Sequence, residues 1–338
     1  MKSDDKQKNL YTLNTDLLQK GDIILTTSKN KVSNIIRVIT LGPFSHAMIY
    51  LGGNSCADAG GPGIRVTSHN TQRIFFDSPS HCCVLRLKAN ISNNQLDAIV
   101  DYARRMIGME YSLDEAKLVA LRVTFNAKEI NRQFCSRYVA QAYESAGISI
   151  VNNSDYCSPV NIYKSDLLTK VDNPLRITSD EERSVFLEES IPLTAKDFAD
   201  EFKFSNAKKV SGIDIQTDEQ FNGVVIGFPQ FDSEFSQILV DSGYLTLWQL
   251  EKNENPWFYD FETLKAKFPD NDFLKYLGNK QLPVEYELQR GFKLTLQTLQ
   301  KSYVTNNLDT LKLQIDLYNT LIDLSKTREG IWKQCKSI

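Results

Sequence analysis

Histidine is scarce in this chain. Its 338 residues hold three, His46, His69 and His81, so metal or acid–base chemistry that uses imidazole must draw on those positions. The six cysteines (Cys56, Cys82, Cys83, Cys135, Cys157 and Cys335) are irregularly spaced, and no two form a Cys-x-x-Cys pair. That excludes a zinc ribbon and a disulfide framework, and the thiols read as reduced. Apolar runs are short, as at residues 48–51 and 224–226, far below the roughly 18 residues of a membrane-spanning helix. The first six residues are charged with both signs and lead into no apolar segment. No cleaved secretory signal is expected, and a cytoplasmic location follows as an expectation.

What is present is ordinary for a globular protein: 41% hydrophobic and 24% charged residues. The length suits two domains at roughly 150 residues each. Lys plus Arg minus Asp plus Glu gives 20 − 16 = +4 for residues 1–172 and 19 − 26 = −7 for residues 173–338. Neither half is basic enough to form a nucleic-acid surface. Residues 172–190 are polar, with Pro174, Asp180, Glu181, Glu182, Glu188 and Glu189, and read as a connection between domains 1–172 and 173–338.

Periodicity places the elements. Residues 23–26, after the Gly21-Asp22 turn, are β-branched and read as a strand, with Asp22 shaping the turn. Val32, Ile35, Ile36 and Ile39 follow at helical spacing after Ser28, and Gly42-Pro43 ends that helix. Residues 46–51 and 55–59 flank a glycine turn as a β-hairpin. Further strands are expected at 64–68 and 83–87, and helices at 94–106, 114–123 and 134–146. In the second half, residues 221–228 read as strand-like, and an aromatic cluster stands at 257–261. Leu308, Leu311, Ile315, Tyr318 and Ile322 mark the seam of a helix packed on its own domain.

Cys135 opens the helix at 134–146, whose inward face would be Cys135, Val139, Ala142, Tyr143 and Ala146. A thiol at a helix N-terminus feels partial positive charge, which favours the nucleophilic thiolate. A cysteine on an apolar helix face is otherwise most often a small core hydrophobe. His46 opens a strand, where its imidazole could serve as general base, and Asp58, on the partner strand, could orient it. The hairpin loop decides whether they meet. A two-residue Gly52-Gly53 loop sets His46 against Ala59 and turns Asp58 away. An odd-length loop at residues 51–53 with a bulge sets Asp58 opposite His46. His69 and His81 read as surface or loop histidines, Cys82-Cys83 has no second pair to complete a metal site, and no metal or cofactor is assigned. Ser45 and Ser136 lack the strained Gly-x-Ser-x-Gly context of a serine nucleophile.

The order Gly21-Asp22-Ile23-Ile24, Ser45-His46-Ala47-Met48-Ile49-Tyr50-Leu51-Gly52, Asp58-Ala59, Gly108-Met109-Glu110-Tyr111, Phe134-Cys135-Ser136 and Ser158-Pro159 resembles the circularly permuted NlpC/P60 group of papain-like cysteine hydrolases, the YiiX/YebB-like proteins. The resemblance spans about residues 20–171, with histidine before cysteine as in the permuted group. It implies an α+β permuted papain-like fold with a small antiparallel sheet, joined here to a mostly helical C-terminal domain. It further implies Cys135 as nucleophile, His46 as base and Asp58 as the orienting residue, where the family usually has glutamate. Aspartate is one methylene shorter, so it reaches the imidazole only if the strands sit closer or a water intervenes. Tyr111 would help the Cys135 backbone N–H hold the oxyanion.

The implied reaction is thiol-mediated acyl transfer through an acyl-enzyme. The leading expectation is cleavage of an amide or peptide bond, including peptidoglycan-type peptides. Lipid acyl esters or acyl transfer are the alternative with the same dyad, and an inactive binding module is the rival from another class. Residues 173–338 carry no chemistry-bearing motif, and their acidic balance would suit a protein partner.

Overall fold

The computed structural model describes residues 9–27, 42–60, 65–111, 132–186 and 191–338; at Tyr111 and Arg132 it describes the backbone only. The chain divides into two compact units, Met1–Glu188 and Glu189–Ile338. The helices expected after Ser28 and at 114–123 lie outside the described residues.

In the first unit the strands are β1 Tyr11–Leu13, β2 Ile23–Thr26, β3 His46–Gly52, β4 Ser55–Ala59, β5 Val66–Asn70, β6 Phe75–Phe76, β7 Cys82–Leu87, β8 Glu110–Tyr111, β9 Arg132–Gln133, β10 Leu168–Lys170 and β11 Leu175–Ile177. Six form one antiparallel sheet in the order β10-β7-β2-β3-β4-β5. The central β2, Ile-Ile-Leu-Thr, is buried along its whole length, as β-branched composition between two neighbours favours. A small sheet, β11-β1-β6, packs Leu13 and Phe76 against Ile24, Met48 and Val84.

The helices begin with α1, Asn93–Arg105, capped by a reciprocal Ser92–Gln95 pair. Then come α2 Cys135–Glu144, α3 Pro159–Tyr163 and α4 Asp180–Phe186. The bodies of α1 and α2 lie on one face of the large sheet. Ile99, Val100, Tyr138, Val139 and Ala142 share a core with Ile23, Leu25, Ala47, Ile49 and Ala57. The expected inward face of α2 is buried apart from Ala146, but Ser136, Arg137, Tyr138 and Ala140 are buried as well, so the helix is enclosed on all sides near its start.

Residues 172–186 of the polar run are part of the first unit and not a linker. β11 pairs with β1, and Glu182 of α4 accepts both guanidinium nitrogens of Arg176. The first unit therefore continues past residue 172. Polar composition misled because a small edge strand and a salt-bridged helix need few apolar residues.

The second unit is helical: α5 Ile191–Ser211, α6 Asp218–Gly227, α7 Asp232–Asp241, α8 Leu247–Glu254, α9 Phe261–Lys267, α10 Asn271–Asn306 and α11 Asp309–Ser337. The strand expected at 221–228 is helix α6. Thr217 and Gln220 form a capping box before it, and Phe221, Val224 and Val225 are buried at helical spacing. α10 and α11 form a helical hairpin turned by Asn307 in the left-handed region. Leu308, Leu311 and Ile315 pack with Phe221, Val225, Phe235 and Leu239 of the same unit, so the seam is an internal one. In the aromatic cluster, Phe258 meets Trp332 edge-on at 5.7 Å.

Candidate active site

The β3–β4 hairpin sets the geometry. Gly53 and Asn54 both have φ of 56°, the signature of a two-residue turn with left-handed centres. Gly52 pairs with Ser55, but the next pair is Tyr50 with Cys56. Leu51 is thus an extra residue, a β-bulge. Without it Asp58 would pair with Ile49 and point to the other face of the sheet. With it Asp58 pairs with Met48, and because side chains alternate, Asp58 shares a face with Met48 and His46. Neither loop considered from sequence is the one formed: a bulge is present, but Asp58 lies diagonal to His46 rather than opposite it.

The diagonal is short enough. His46 Nε2 and Asp58 Oδ2 make a direct hydrogen bond, so the shorter aspartate reaches the ring without a bridging water. Asp58 is 6% exposed. Burial alone would raise its pKa, yet the His46 and His69 imidazoles beside it hold the carboxyl well below the usual carboxylate range.

Cys135 is the first residue of α2 and is 5% exposed. Phe134 is the N-cap and makes no side-chain capping bond, so no side chain of the cap claims the first amides of the helix. His46 is the first residue of β3, at the rim of the sheet. The N-terminal turn of α2 therefore reaches its imidazole, although the helix body packs on the alternate residues Ala47 and Ile49. Burial pushes the His46 pKa down, but the Asp58 carboxylate and the neighbouring Cys135 sulfur outweigh it, and the ring is held well above its ordinary value.

Several bonds fix this helix start. Ser136 Oγ donates to the Cys157 carbonyl at 2.6 Å, and the Cys157 thiol lies 3.2 Å from the Ser136 carbonyl. Arg137 is buried, donates from Nε to the Asp155 carbonyl at 2.8 Å, and stacks over Phe134 at 4.5 Å. Tyr138 Oη donates to Ala103 O at 2.8 Å, and Tyr143 Oη to Gly21 O. Asp22 holds its turn as expected, accepting from the Gln19 amide and from two nitrogens of Arg86. The Tyr111 backbone pairs with Gln133, two residues before Cys135. Its side chain, expected at the oxyanion, lies outside what is described.

His69 is not an isolated surface histidine. It stands on β5, and its Nε2 lies 2.8 Å from Asp58 Oδ1. Thr67, directly opposite Asp58, places its hydroxyl 3.3 Å from the same oxygen. The signal was period-two spacing: an expected strand ending at 68 stops one residue short of showing His69 on the face of Thr67. Among the described residues, no group of three His, Cys, Asp or Glu side chains is arranged to hold a metal ion.

Comparison with known proteins bears on this arrangement. Residues 17–156 match the sequence model of the permuted papain-like amidase enzymes, YaeF/YiiX, C92 family. Over this region the chain is similar to the permuted papain-like amidases. The crystal structure of metalloprotein YiiX from Escherichia coli O157:H7 is similar at 19% identity, with a TM-score of 0.35, over 45% of this chain and 96% of that one. No curated protein matches the chain. The matched residues include Cys135, His46 and Asp58, and the family they match is one of thiol-dependent hydrolases.

Proposed function

We propose that the chain hydrolyses an amide bond of a peptide or peptidoglycan-type substrate through an acyl-enzyme on Cys135. The observation that carries this is that the His46 imidazole is hydrogen-bonded to the buried Asp58 carboxylate and is also acted on by the Cys135 sulfur, the two together holding the ring above its ordinary value. A thiol, a base and a group that orients the base then stand in sequence, which is the arrangement nucleophilic catalysis needs.

In the first step the Cys135 sulfur, as thiolate, attacks the carbonyl carbon, and the carbonyl electron pair moves onto oxygen. The amides at the α2 N-terminus, that of Cys135 among them, hold this oxyanion, a role in which the family resemblance adds Tyr111. Collapse breaks the C–N bond while His46, as imidazolium, donates its proton to the leaving amine. The thioester is then attacked by a water that His46 deprotonates, and the Cys135 sulfur leaves as acid is released. Asp58 keeps one ring nitrogen of His46 protonated and the other aimed at sulfur and substrate. A ring held above its ordinary pKa is suited to be the cation that protonates the amine.

The test is alkylation of the intact protein by iodoacetamide near neutral pH, followed by peptide mapping of the six cysteines. Cys135 is expected to react fastest, and His46→Ala to slow it by about 10-fold or more. A Cys135 that reacts no faster than the others, or ignores His46, overturns the assignment. Panels of peptidyl anilides and acyl nitrophenyl esters then separate amide from lipid-ester chemistry, each with Cys135→Ala as the blank.

A further inference from the structure

Asp58 is held from two sides, and only one is used in the reaction above. Its Oδ2 meets His46, while Oδ1 lies 2.8 Å from His69 Nε2 and 3.3 Å from Thr67 Oγ1. Thr67 Oγ1 is also 3.0 Å from His69 Nε2. A bare nitrogen lone pair that close to a carboxylate oxygen would repel it, so His69 Nε2 carries a proton and donates it to Asp58.

We infer that His69 is a positioning residue for the Cys135–His46 pair, acting through Asp58; this rests on the function proposed above. The reason lies in the hairpin register. Asp58 pairs with Met48, so its carboxylate must lean diagonally along the sheet to reach His46. A carboxylate on a single methylene can turn about its terminal bond, and such turns are broad and weakly hindered. Left on Oδ1 with only the longer Thr67 contact, it would trade the His46 contact for others nearby. The donor on Oδ1, supplied from β5, fixes the carboxylate plane and leaves Oδ2 aimed at His46. In this way a strand further from the nucleophile makes the short aspartate serve where a longer side chain is usual. A one-ångström loss of aim at the base is enough to cost about 10²-fold in rate.

The arrangement differs from a packing histidine. His69 keeps 31% of its side chain exposed, whereas Asp58 keeps 8%, so the ring lies over the carboxylate from the solvent side and fills no core volume. The charged and titratable groups around Asp58 are His46 and His69, with Cys56 and Tyr138 also within its electrostatic reach, and those that act on His46 are Asp58 and Cys135. A change at His69 should therefore be felt at His46 through Asp58.

The experiment uses the full chain. Cys135 alkylation by iodoacetamide and the NMR titration of the His46 ring are measured in wild type, His46→Ala, His69→Ala and His69→Gln. Glutamine is the conservative choice because its amide N–H can occupy the place of the imidazole Nε2–H. Expected are a slowing of Cys135 alkylation by about 10-fold or more in His69→Ala, a downward shift of the His46 titration, and recovery to within about threefold of wild type in His69→Gln. If His69→Ala leaves both readouts unchanged while His46→Ala still slows Cys135, the positioning role is wrong and the proposed function stands. If His46→Ala has no effect either, both are wrong. A second measurement needs no variant: long-range ¹H–¹⁵N spectra of wild type must show the neutral His69 ring protonated on Nε2. The Nδ1–H tautomer overturns the inference even if the substituted proteins fail to fold.

Discussion

Asp58 reaches His46 along a diagonal of the β3–β4 hairpin, pairing with Met48 and not with the histidine it binds. The contact depends on the extra residue at Leu51, which brings both side chains to one face. The orientation of the His46 ring is therefore a property of the hairpin as much as of the two residues. Asp58→Asn keeps the shape and removes the charge. It is expected to lower amide hydrolysis by about 10²- to 10⁴-fold and to move the His46 NMR titration to lower pH, since the carboxylate is what holds it up. An unmoved His46 titration would show that Asp58 does not act on the ring.

The same pair fixes how stability depends on pH. His46 titrates higher in the folded chain than the unfolded value of about 6.5, so its contribution is complete below about pH 6.5 and is lost as pH rises through the folded value. Asp58 titrates lower than its unfolded value of about 3.9, so its contribution is complete above about pH 4 and is lost as pH falls through the folded value. Both describe one ion pair. The difference in melting temperature between wild type and Asp58→Asn should therefore be widest between about pH 4 and 6.5, and should narrow on both sides. A difference that is constant from pH 3 to 9 would contradict the pairing.

Much of this was legible in the sequence because the first unit follows simple periods. The strand at 46–51, the helix beginning at Cys135 and the seam from Leu308 all stand where their apolar spacing puts them. What was hidden depended on single residues or distant partners. One bulged residue set which face Asp58 takes, and no local pattern marks such a bulge. The strand β11 exists because β1, more than 160 positions earlier, offers it an edge. His69 looked peripheral since its partner is on a neighbouring strand. At 221–228 the valines and isoleucine suggested a strand, yet the Thr217–Gln220 cap and burial against α11 made a helix, as tertiary packing often overrides propensity.

Gly278 of α10 is where the two long helices approach most tightly among the glycines that meet anything there. A Cβ at this position would sit 2.8 Å from the Trp332 carbonyl oxygen, 2.9 Å from Cys335 Cβ and 2.9 Å from the Lys336 nitrogen. Backbone atoms cannot step aside, so Gly278→Ala is expected to cost about 1–3 kcal/mol. Gly291, on the same helix, meets nothing within 4 Å, and Gly291→Ala should stabilise by about 0.5–1 kcal/mol through helix propensity alone. Thermal melting of the two variants checks the contrast. Equal shifts of the same sign would mean that the α10–α11 spacing is not set at Gly278.

Arg328 is the buried cation of that helical hairpin. Its Nε lies 2.7 Å and its Nη2 3.1 Å from the two oxygens of Glu285, and Nη1 donates to Tyr259 Oη at 2.9 Å. Glu285 also accepts from Ser325 Oγ at 2.6 Å and from the Trp332 indole at 3.4 Å. The carboxylate is thus shared by three residues of α11 and ties α10 to it. Removing Glu285 leaves Arg328 with only the more distant Glu251 carboxylate, 3.8 Å from its Nη1, as counter-charge, and the loss of the close charge outweighs the loss of the bond itself. Glu285→Leu is expected to destabilise by about 3–5 kcal/mol, measured by urea unfolding, whereas Glu285→Leu combined with Arg328→Met should recover most of that loss because neither leaves a buried charge. If the double variant is no more stable than the single one, the hydrogen bonds to Ser325, Trp332 and Tyr259, and not the charge pair, hold the helices together.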